Sequence, residues 1–352
     1  MPINAEKDLL LDFSLARISF LTQSEKKLLK NNLDSADSLA LLSKEEISCL
    51  VGKALTEKVD WKGKQNFEAA KRELEVSKRL KIDFLRYDDD LYPALLKEIS
   101  NPPYMIFYRG SLDAFSQKSV SVVGTRQISP EGKISAHSFA KDAAEKGYAV
   151  VSGLANGVDG FSHKGAIDAY FDCIENGGDV SSVGKTVAVL PCAIDTIYPA
   201  NHKRLAENIL MSGGAIISEY APLSEFAPWR YVKRNRLIAA LSPATVVIEA
   251  PNGSGALLTV DYAIELNRDV MFHKVCFSES AKKVAEAVKR DLEIKVEKGI
   301  KKKSKLESCS ERYVEDGAPV INDFEDYLKC LSELPGTRND YSSSFIDQKT
   351  KI

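Results

Sequence analysis

Short, nearly uninterrupted apolar runs recur along the middle of the chain. They read VSVV at 120–123, YAVV at 148–151, TVAVL at 186–190, AIIS at 215–218 and TVVI at 245–248. Runs of this kind are typical of strands that are buried on both faces of a parallel sheet. Apolar residues recur three and four positions apart, as in helices, within 132–146, 160–171, 203–211 and 256–266. The alternation predicts an α/β fold with a doubly wound, mainly parallel sheet.

The first 80 residues follow a different pattern. Thr22 with Glu25, and Ser43 with Glu46, have the spacing of a helix capping box, and leucines follow at helical spacing. We therefore predict a small all-α domain over 1–80 and a sheet domain over 84–273. Within the sheet domain, the glycine- and serine-bearing stretch 173–184 is predicted to be a loop.

Beyond Met271 the regular alternation is lost. Residues 281–305 contain ten Lys or Arg against four Asp or Glu, which is consistent either with a solvated linker or with an arm that contacts phosphates. Apolar residues from Tyr313 to Leu328 predict a short strand and a helix that close the sheet domain over 313–336. The last stretch, 337–352, is polar and is predicted to be a disordered tail.

The composition of the chain limits its expected class and cellular location. A chain of 352 residues can bury a large core and is expected to divide into more than one unit. Its six cysteines include no CxxC pair, so neither a disulfide framework nor a zinc knuckle is expected, and a reducing cytoplasm is the expected location. No run approaches the roughly 20 apolar residues of a membrane span. The net charge of −2 identifies no partner.

Three glycine turns each follow a predicted strand and open a predicted helix. They are Gly124-Thr125-Arg126, the stretch from Ser152-Gly153 through Gly157, and Gly253-Ser254-Gly255. In a doubly wound sheet such turns lie at the carboxyl ends of the strands, where ligands bind. Glycine allows close approach to the backbone, and the first amides of a helix have no partner within it. The sequence therefore predicts one crevice suited to phosphate groups.

Two common phosphate ligands fit poorly. The first turn lacks GxGxxG, and Arg126 stands where a dinucleotide pyrophosphate requires small residues, so NAD is not expected. Gly184-Lys185-Thr186 is reminiscent of a nucleotide-binding P-loop, but Gly178 is one residue too far away and the strand follows the motif. No cofactor is predicted.

Residues 229–241 combine basic and aromatic side chains, in the order WRYVKRNRLIAAL. Arginine binds phosphate oxygens in a bidentate manner, and flat rings stack on exposed bases. Candidate contacts to single-stranded nucleic acid are therefore Tyr231, Lys233, Arg234, Asn235 and Arg236, with Trp229 as an alternative stacking ring. An amphipathic helix with aromatic residues in the core and solvated charges would show the same pattern.

The sequence gives only weak evidence for a catalytic site. Ser152 does not lie in a hydrolase GxSxG elbow. Asp159 and His163, four residues apart, could hold a metal or could cap the turn, and capping is the preferred interpretation. Glu219 and Glu249 each follow a buried strand and could act as general bases or bind turn amides. Neither a catalytic nor a metal site is predicted.

Several segments resemble, in order, the DNA-processing protein A (DprA or Smf) family of bacterial recombination mediators. The matching runs include VVGTR at 122–126, VVSGLANGVDGFSHKGA at 150–166, TVAVLPCAIDTIYPANHKRL at 186–205 and RNRLIAALSPATVVIEAPNGSGALLT at 234–259. The resemblance covers most of 84–273. It implies an extended Rossmann-like domain, and 1–80 would correspond to the sterile-alpha-motif-like domain of many members.

The resemblance also implies a function without catalysis. Members bind single-stranded DNA without sequence preference, form homodimers and help to load the RecA recombinase during natural transformation. Carried over by position, the DNA pocket falls on the three turns and the RNR motif, at Gly124, Thr125, Arg126, Ser152, Gly153, Asn156, Gly157, Arg234, Asn235, Arg236, Ser254 and Gly255.

This chain departs from the family pattern at several positions. Asn156 stands where members often have lysine, Tyr231-Val232 replaces the usual Phe-Pro, and 274–312 is a basic insertion. An alternative from a different class is a Rossmann-like nucleotide phosphoribohydrolase of the lysine-decarboxylase-like type. Its PGGxGT turn is matched only in part by Pro251–Gly255.

Overall fold

The computed structural model describes residues 3–300 and 302–332. Its α/β architecture, a mostly parallel sheet of nine strands preceded by helices, confirms the predicted fold class. By contacts, the chain divides into two compact units. The first contains the described residues up to Arg109 together with Cys192–Thr196 and Ile217–Ala227, and the second contains the rest. The predicted domain boundaries themselves stay predictions, and the predicted tail, 337–352, lies outside the described residues.

The first unit begins with helices. They are α1 (Ile3–Ala16), α2 (Gln23–Asn32), α3 (Ala36–Leu41), α4 (Lys44–Val51) and α5 (Gly63–Leu80). Both predicted capping boxes form, with Thr22 bonded to Glu25 and Ser43 bonded to Glu46 in both directions. A short helix, α6 (Ala94–Lys97), lies between strands β1 (Asp83–Arg86) and β2 (Met105–Gly110), which pair antiparallel.

The predicted strands of the sheet domain are confirmed to within one or two residues. They are β3 (Ser119–Val123), β4 (Ala149–Ser152), β5 (Thr186–Leu190), β6 (Ala215–Ser218) and β7 (Ala244–Val247), and β8 (Asp269–His273) and β9 (Val320–Ile321) follow. β3 to β7 are fully buried along their length, which explains their unbroken apolar sequences.

The order of the strands in the second unit fixes the position of the ligand crevice. Parallel neighbours run β5-β4-β3-β7-β8-β9. The chain therefore builds outward from β3 in one direction, returns to β7 and builds in the other. The loops after β3 and β7 diverge at this switch point, and open α/β sheets bind their ligands there.

Helices cover this sheet as the periodicity predicts. They are α7 (Pro130–Glu145), α8 (Val158–Glu175), α9 (Lys203–Met211), α10 (Arg230–Ala240) and α11 (Gly255–Glu265). One buried cluster joins Phe139 of α7 to Val122, Val246 and Met271 of the strands. The predicted loop 173–184 is shorter than expected, because α8 continues through Glu175.

The stretch after β8 is more ordered than its composition suggests. A long helix, α12 (Glu279–Glu297), is followed by α13 (Ser304–Glu307) and α14 (Ser310–Glu315), and α15 (Phe324–Ser332) closes the sheet behind β9. The predicted closing strand and helix are thus present, while Tyr313 and Val314 lie in the separate helix α14. Among the described residues, no helix is both long enough and apolar enough to cross a membrane.

Candidate nucleic-acid interface

The three glycine turns converge on one cleft of about 700 Å³ in the second unit. Residues of the first turn (124–129), the second (152–157) and the third (249–255) contribute to it, and together we call them the turn wall. Predicted site residues that line the cleft are Gly124, Thr125, Arg126, Tyr231, Arg234, Asn235, Ser254 and Gly255. The cleft therefore contains residues of all three turns, the second turn contributing Ala155.

Glu249 stabilises the first turn through hydrogen bonds. The backbone N–H of Thr125 donates to the carbonyl of Glu249 at 2.7 Å. The Glu249 carboxylate accepts from the backbone N–H of Ser129 at 2.9 Å and from the Ser129 hydroxyl. Ser129 in turn caps α7. Burial raises the pKa of the Glu249 carboxyl. These bonds correspond to the turn-binding alternative considered for Glu249.

The second turn leaves no space for side chains at its end. Gly157 has φ +81°, and a Cβ placed there would lie 2.2 Å from the carbonyl oxygen of Thr125. The Asp159 carboxylate accepts from the backbone N–H groups of Gly153 and Ala155 at 3.1 and 3.2 Å. Because Asp159 is buried, its pKa is raised. Its contacts correspond to the capping interpretation.

Arg234 is directed into the protein. It is only 5% exposed, and its guanidinium donates to the backbone carbonyls of Gly153, at 2.7 Å, and Val189. These bonds attach α10 to the ends of β4 and β5. Its neighbour Asn235 donates to the carbonyl of Gly255 at 3.3 Å, which connects α10 to the third turn. Both residues line the cleft, and the geometry favours a shaping role for Arg234.

Arg126 is the exposed cation of the turn wall. Its guanidinium lies 5.5 Å from the ring centre of Tyr231, and the Tyr231 ring contacts Tyr198 edge-on. Within residues 3–300 and 302–332, Arg126 forms no salt bridge. A guanidinium held beside an aromatic ring at the mouth of a cleft can bind a phosphate while the ring contacts a base.

Trp229 provides a second exposed ring at the start of α10. It is 53% exposed, and the charged ends of Arg230 and Lys233 each lie 5.6 Å from its ring centre. Exposure of this size disfavours the core interpretation for Trp229. A tryptophan flanked by two cations is a suitable platform for stacking an unpaired base.

Six predicted site residues do not line the cleft itself, namely Ser152, Gly153, Asn156, Gly157, Lys233 and Arg236. Ser152 is fully buried and donates to the carbonyl of Val122. Asn156 is exposed and accepts from the side chain of Asn201 at 3.1 Å. The DNA contacts assigned to all fourteen residues stay predictions.

The remaining candidate residues for catalysis or nucleotide binding lie at separate positions in the fold. His163 is fully buried, its Nδ1 lies 2.7 Å from the Thr186 hydroxyl, and burial lowers its pKa to about 3. The Lys185 ammonium donates to the carbonyl of Val180 at 2.7 Å, on the amino-terminal side of β5. Glu219 follows β6 in the first unit. In the part of the chain that the structure describes, no cluster of three metal-ligand side chains occurs.

The sequence pattern places no residue of the basic segment in the cleft, although a phosphate-contacting arm is one of the two interpretations of 281–305. The cleft is also lined by Ala287, Val288, Asp291, Leu292 and Lys295 of α12 and by Lys305. We call residues 279–300 and 302–310 the helical wall. The signal was present in the apolar residues Val284, Val288 and Leu292, which repeat every four positions. The charged residues between them made this helical periodicity hard to recognise.

Comparison with known proteins identifies the family. A family model described as DNA recombination-mediator protein A matches residues 83–332, more than half of the chain. The chain belongs to this family. The resemblance seen in the sequence is thereby confirmed.

Bacterial proteins are among the relatives of this chain. Protein Smf of Synechocystis is 39% identical over 191 residues, 53% of this chain and 44% of that protein. The DNA processing protein DprA of Streptococcus pneumoniae is 36% identical over 182 residues, 52% of this chain and 59% of that protein. The chain thus spans about half the length of the curated relatives it matches.

Solved structures of the family share the fold. That of the Streptococcus pneumoniae protein has a TM-score of 0.61 and 25% identity, and the match covers 91% of this chain and 97% of the other. A Helicobacter pylori DNA processing protein A, described for its unique single-stranded DNA binding mode, has a TM-score of 0.51 at 21% identity. That match covers 71% of this chain and 95% of the other.

Proposed function

We propose that this chain binds single-stranded DNA without sequence preference in the cleft of the second unit and serves as a recombination mediator. The observation that carries the proposal is the convergence of three glycine turns and Arg126 on one cleft at the switch point of the sheet. Membership of the recombination-mediator family supports the same function.

The geometry suits a chain of phosphates. Backbone amides at the start of α11 and the exposed Arg126 attract anions. Tyr231 lies against Arg126, and Trp229 lies at the start of the same helix, α10. Stacking on such rings tolerates any base, because every base has a flat face. A strand bound in this way would be held by its backbone and supported by its bases.

A salt titration with a labelled oligothymidine tests the DNA site. Each phosphate contact contributes about 0.7 to the slope of log affinity against log salt for single strands, which corresponds to roughly fivefold in affinity at 0.1 M salt. Arg126→Ala should therefore weaken binding about fivefold and reduce the slope. Arg204→Ala, at an exposed position on α9 that does not line the cleft, is the matched control. Equal behaviour of both variants would remove the cleft assignment.

Handover of the strand to RecA and action as a homodimer in the cytoplasm are parts of the same proposal, supported by the family. Addition of the protein should accelerate RecA-driven strand exchange on DNA coated with single-strand-binding protein. The Arg126→Ala variant should accelerate it less. Sedimentation of the full chain measures whether it dimerises. Unchanged strand exchange in the presence of the wild-type chain would contradict the mediator role.

The alternative function, that of a nucleotide phosphoribohydrolase, predicts the opposite result in an assay of base release. That activity would need an available carboxylate near the third turn, and Glu249 is 2% exposed and bonded to Ser129. We therefore expect no release of base from nucleoside monophosphates. Turnover that disappears in Glu249→Gln would favour the hydrolase and contradict the non-catalytic proposal.

A further inference from the structure

The helical wall is fastened to the third glycine turn by three hydrogen bonds. The backbone N–H of Gly253 donates to the carbonyl of Ser308 at 2.9 Å. The side chain of Asn252 donates to the carbonyl of Leu306 at 3.0 Å, and the Ser310 hydroxyl donates to the carbonyl of Ala250 at 2.9 Å. The basic segment is therefore a fixed part of the cleft, which the linker interpretation does not explain.

Close packing reinforces this attachment. Gly253 has φ +68°, and a Cβ placed on it would lie 2.8 Å from Leu292 Cδ2 and 2.8 Å from the carbonyl oxygen of Lys305. The glycine thus leaves space for the wall as well as for the turn. Leu292, Val288 and Ala287 form the apolar side of α12 that faces the cleft.

The charged groups of the cleft divide into two kinds. Asp159 binds turn amides and Arg234 binds backbone carbonyls, so both are engaged inside the protein. Arg126 of the turn wall and Lys305 of the helical wall both line the cleft, and neither has a carboxylate partner among the described residues. Each wall therefore contributes a cation to the cleft.

Lys295 is the third cation, and it is held by its own helix. Its ammonium forms a salt bridge with Asp291, one turn earlier on α12, and the two side chains are 44% and 62% exposed. Both residues line the cleft. Exposed pairs of this kind are weak, contributing about 0.2 to 1 kcal/mol, so a phosphate can displace the carboxylate.

We propose that the helical wall is a second phosphate-binding wall, in which Lys305 and Lys295 receive backbone phosphates and Asp291 takes the place of a phosphate on Lys295 when the cleft is empty. This inference rests on the proposed function. It adds that the strand contacts lysines of the inserted segment as well as the turn wall, and that Asp291 lowers the affinity for the strand by pairing with Lys295.

Charge substitutions in the full chain test the proposal by oligothymidine titration. Lys305→Ala and Lys295→Ala should each weaken binding about fivefold at 0.1 M salt and lower the salt slope by about 0.7. Asp291→Asn should strengthen binding about two- to threefold, because the phosphate no longer competes with a carboxylate. Lys289→Ala, at an exposed position on α12 that does not line the cleft, should change the slope little.

The outcomes separate the two proposals. If Arg126→Ala is as active as wild type in binding, the cleft itself is not the DNA site and the proposed function fails. If Arg126→Ala weakens binding while Lys305→Ala and Lys295→Ala do not, the cleft stands and the second wall is wrong. Equal losses from Lys289→Ala and Lys305→Ala, or weaker binding by Asp291→Asn, would also overturn the second wall. Circular dichroism of each variant verifies that the chain has folded.

Discussion

The two walls of the cleft are built by opposite means. The turn wall is short backbone held from below, with Glu249, Ser129 and Asp159 buried and bonded to it. The helical wall consists of the long, mostly exposed helix α12, which contacts the third turn through Leu292, and the segment after it, which is hydrogen-bonded to that turn. One wall presents backbone amides, and the other presents lysine ammonium groups.

This difference has a consequence for substitutions. Changes at the buried groups of the turn wall should cost folding free energy, because these groups have several partners. Changes in the helical wall should alter ligand affinity and leave the fold intact, because its charges are exposed. Substitutions matched in chemistry but placed in different walls can test the contrast.

The largest effect is expected at the end of the second turn. Gly157→Ala adds a Cβ 2.2 Å from the Thr125 carbonyl at φ +81°, so both backbone strain and overpacking oppose it. We expect a loss of about 4 kcal/mol in the free energy of unfolding, measured by urea denaturation. Gly177→Ala is the control, since Gly177 has φ +67° and nothing within 4 Å of the added Cβ. It should cost only about 1 to 2 kcal/mol, and equal losses would contradict the packing argument.

A smaller loss in the free energy of unfolding is expected when the pH is lowered. Burial lowers the pKa of His163 to about 3 and that of His273, which precedes the helical wall, to about 4. Both are depressed below the unfolded value, so the unfolded chain binds more protons as the pH falls. Between pH 8 and pH 5 each histidine should lower the free energy of unfolding by about 2 kcal/mol.

Single variants assign this pH dependence. Denaturation of His163→Gln at both pH values should show a fall that is about 2 kcal/mol smaller than in wild type, whatever its stability at pH 8. His273→Gln should behave in the same way. A pH dependence unchanged in either variant would show that the histidine is not held neutral in the folded chain.

The sequence predicts the turn wall far better than the helical wall. Strand runs such as VSVV and TVVI specify buried parallel strands, and glycines mark where the backbone must turn, so the convergence of three turns follows from topology. The direction of Arg234 does not follow, because the same RNR motif is compatible with a solvated or a buried guanidinium. Contacts of Gly253 with Leu292 and Lys305 join distant parts of the chain, and local periodicity does not report them.

Helix caps give a finer comparison of the two walls. Ser129 caps α7 beneath the first turn, where its hydroxyl accepts from the N–H of Gly132 at 2.9 Å and donates to the Glu249 carboxylate. Ser129→Ala removes both bonds and leaves a buried carboxylate with one fewer donor. We expect a loss of roughly 1.5 kcal/mol by denaturation. If Ser129→Ala lost less stability than the variant of an exposed helix cap, Glu249 would not stabilise the turn as described.

Ser278 provides that exposed cap, at the start of the helical wall. Its hydroxyl accepts from the N–H of Ala281 at 3.1 Å, and the helix it caps is mostly exposed. Ser278→Ala should cost only about 0.5 to 1 kcal/mol. Hydrogen exchange should show the loss as faster exchange of the amides of the first turn of α12, while those of α7 remain protected. Faster exchange in α7 would mean that the two walls are coupled, because the loss of a cap on α12 would then affect the turn wall.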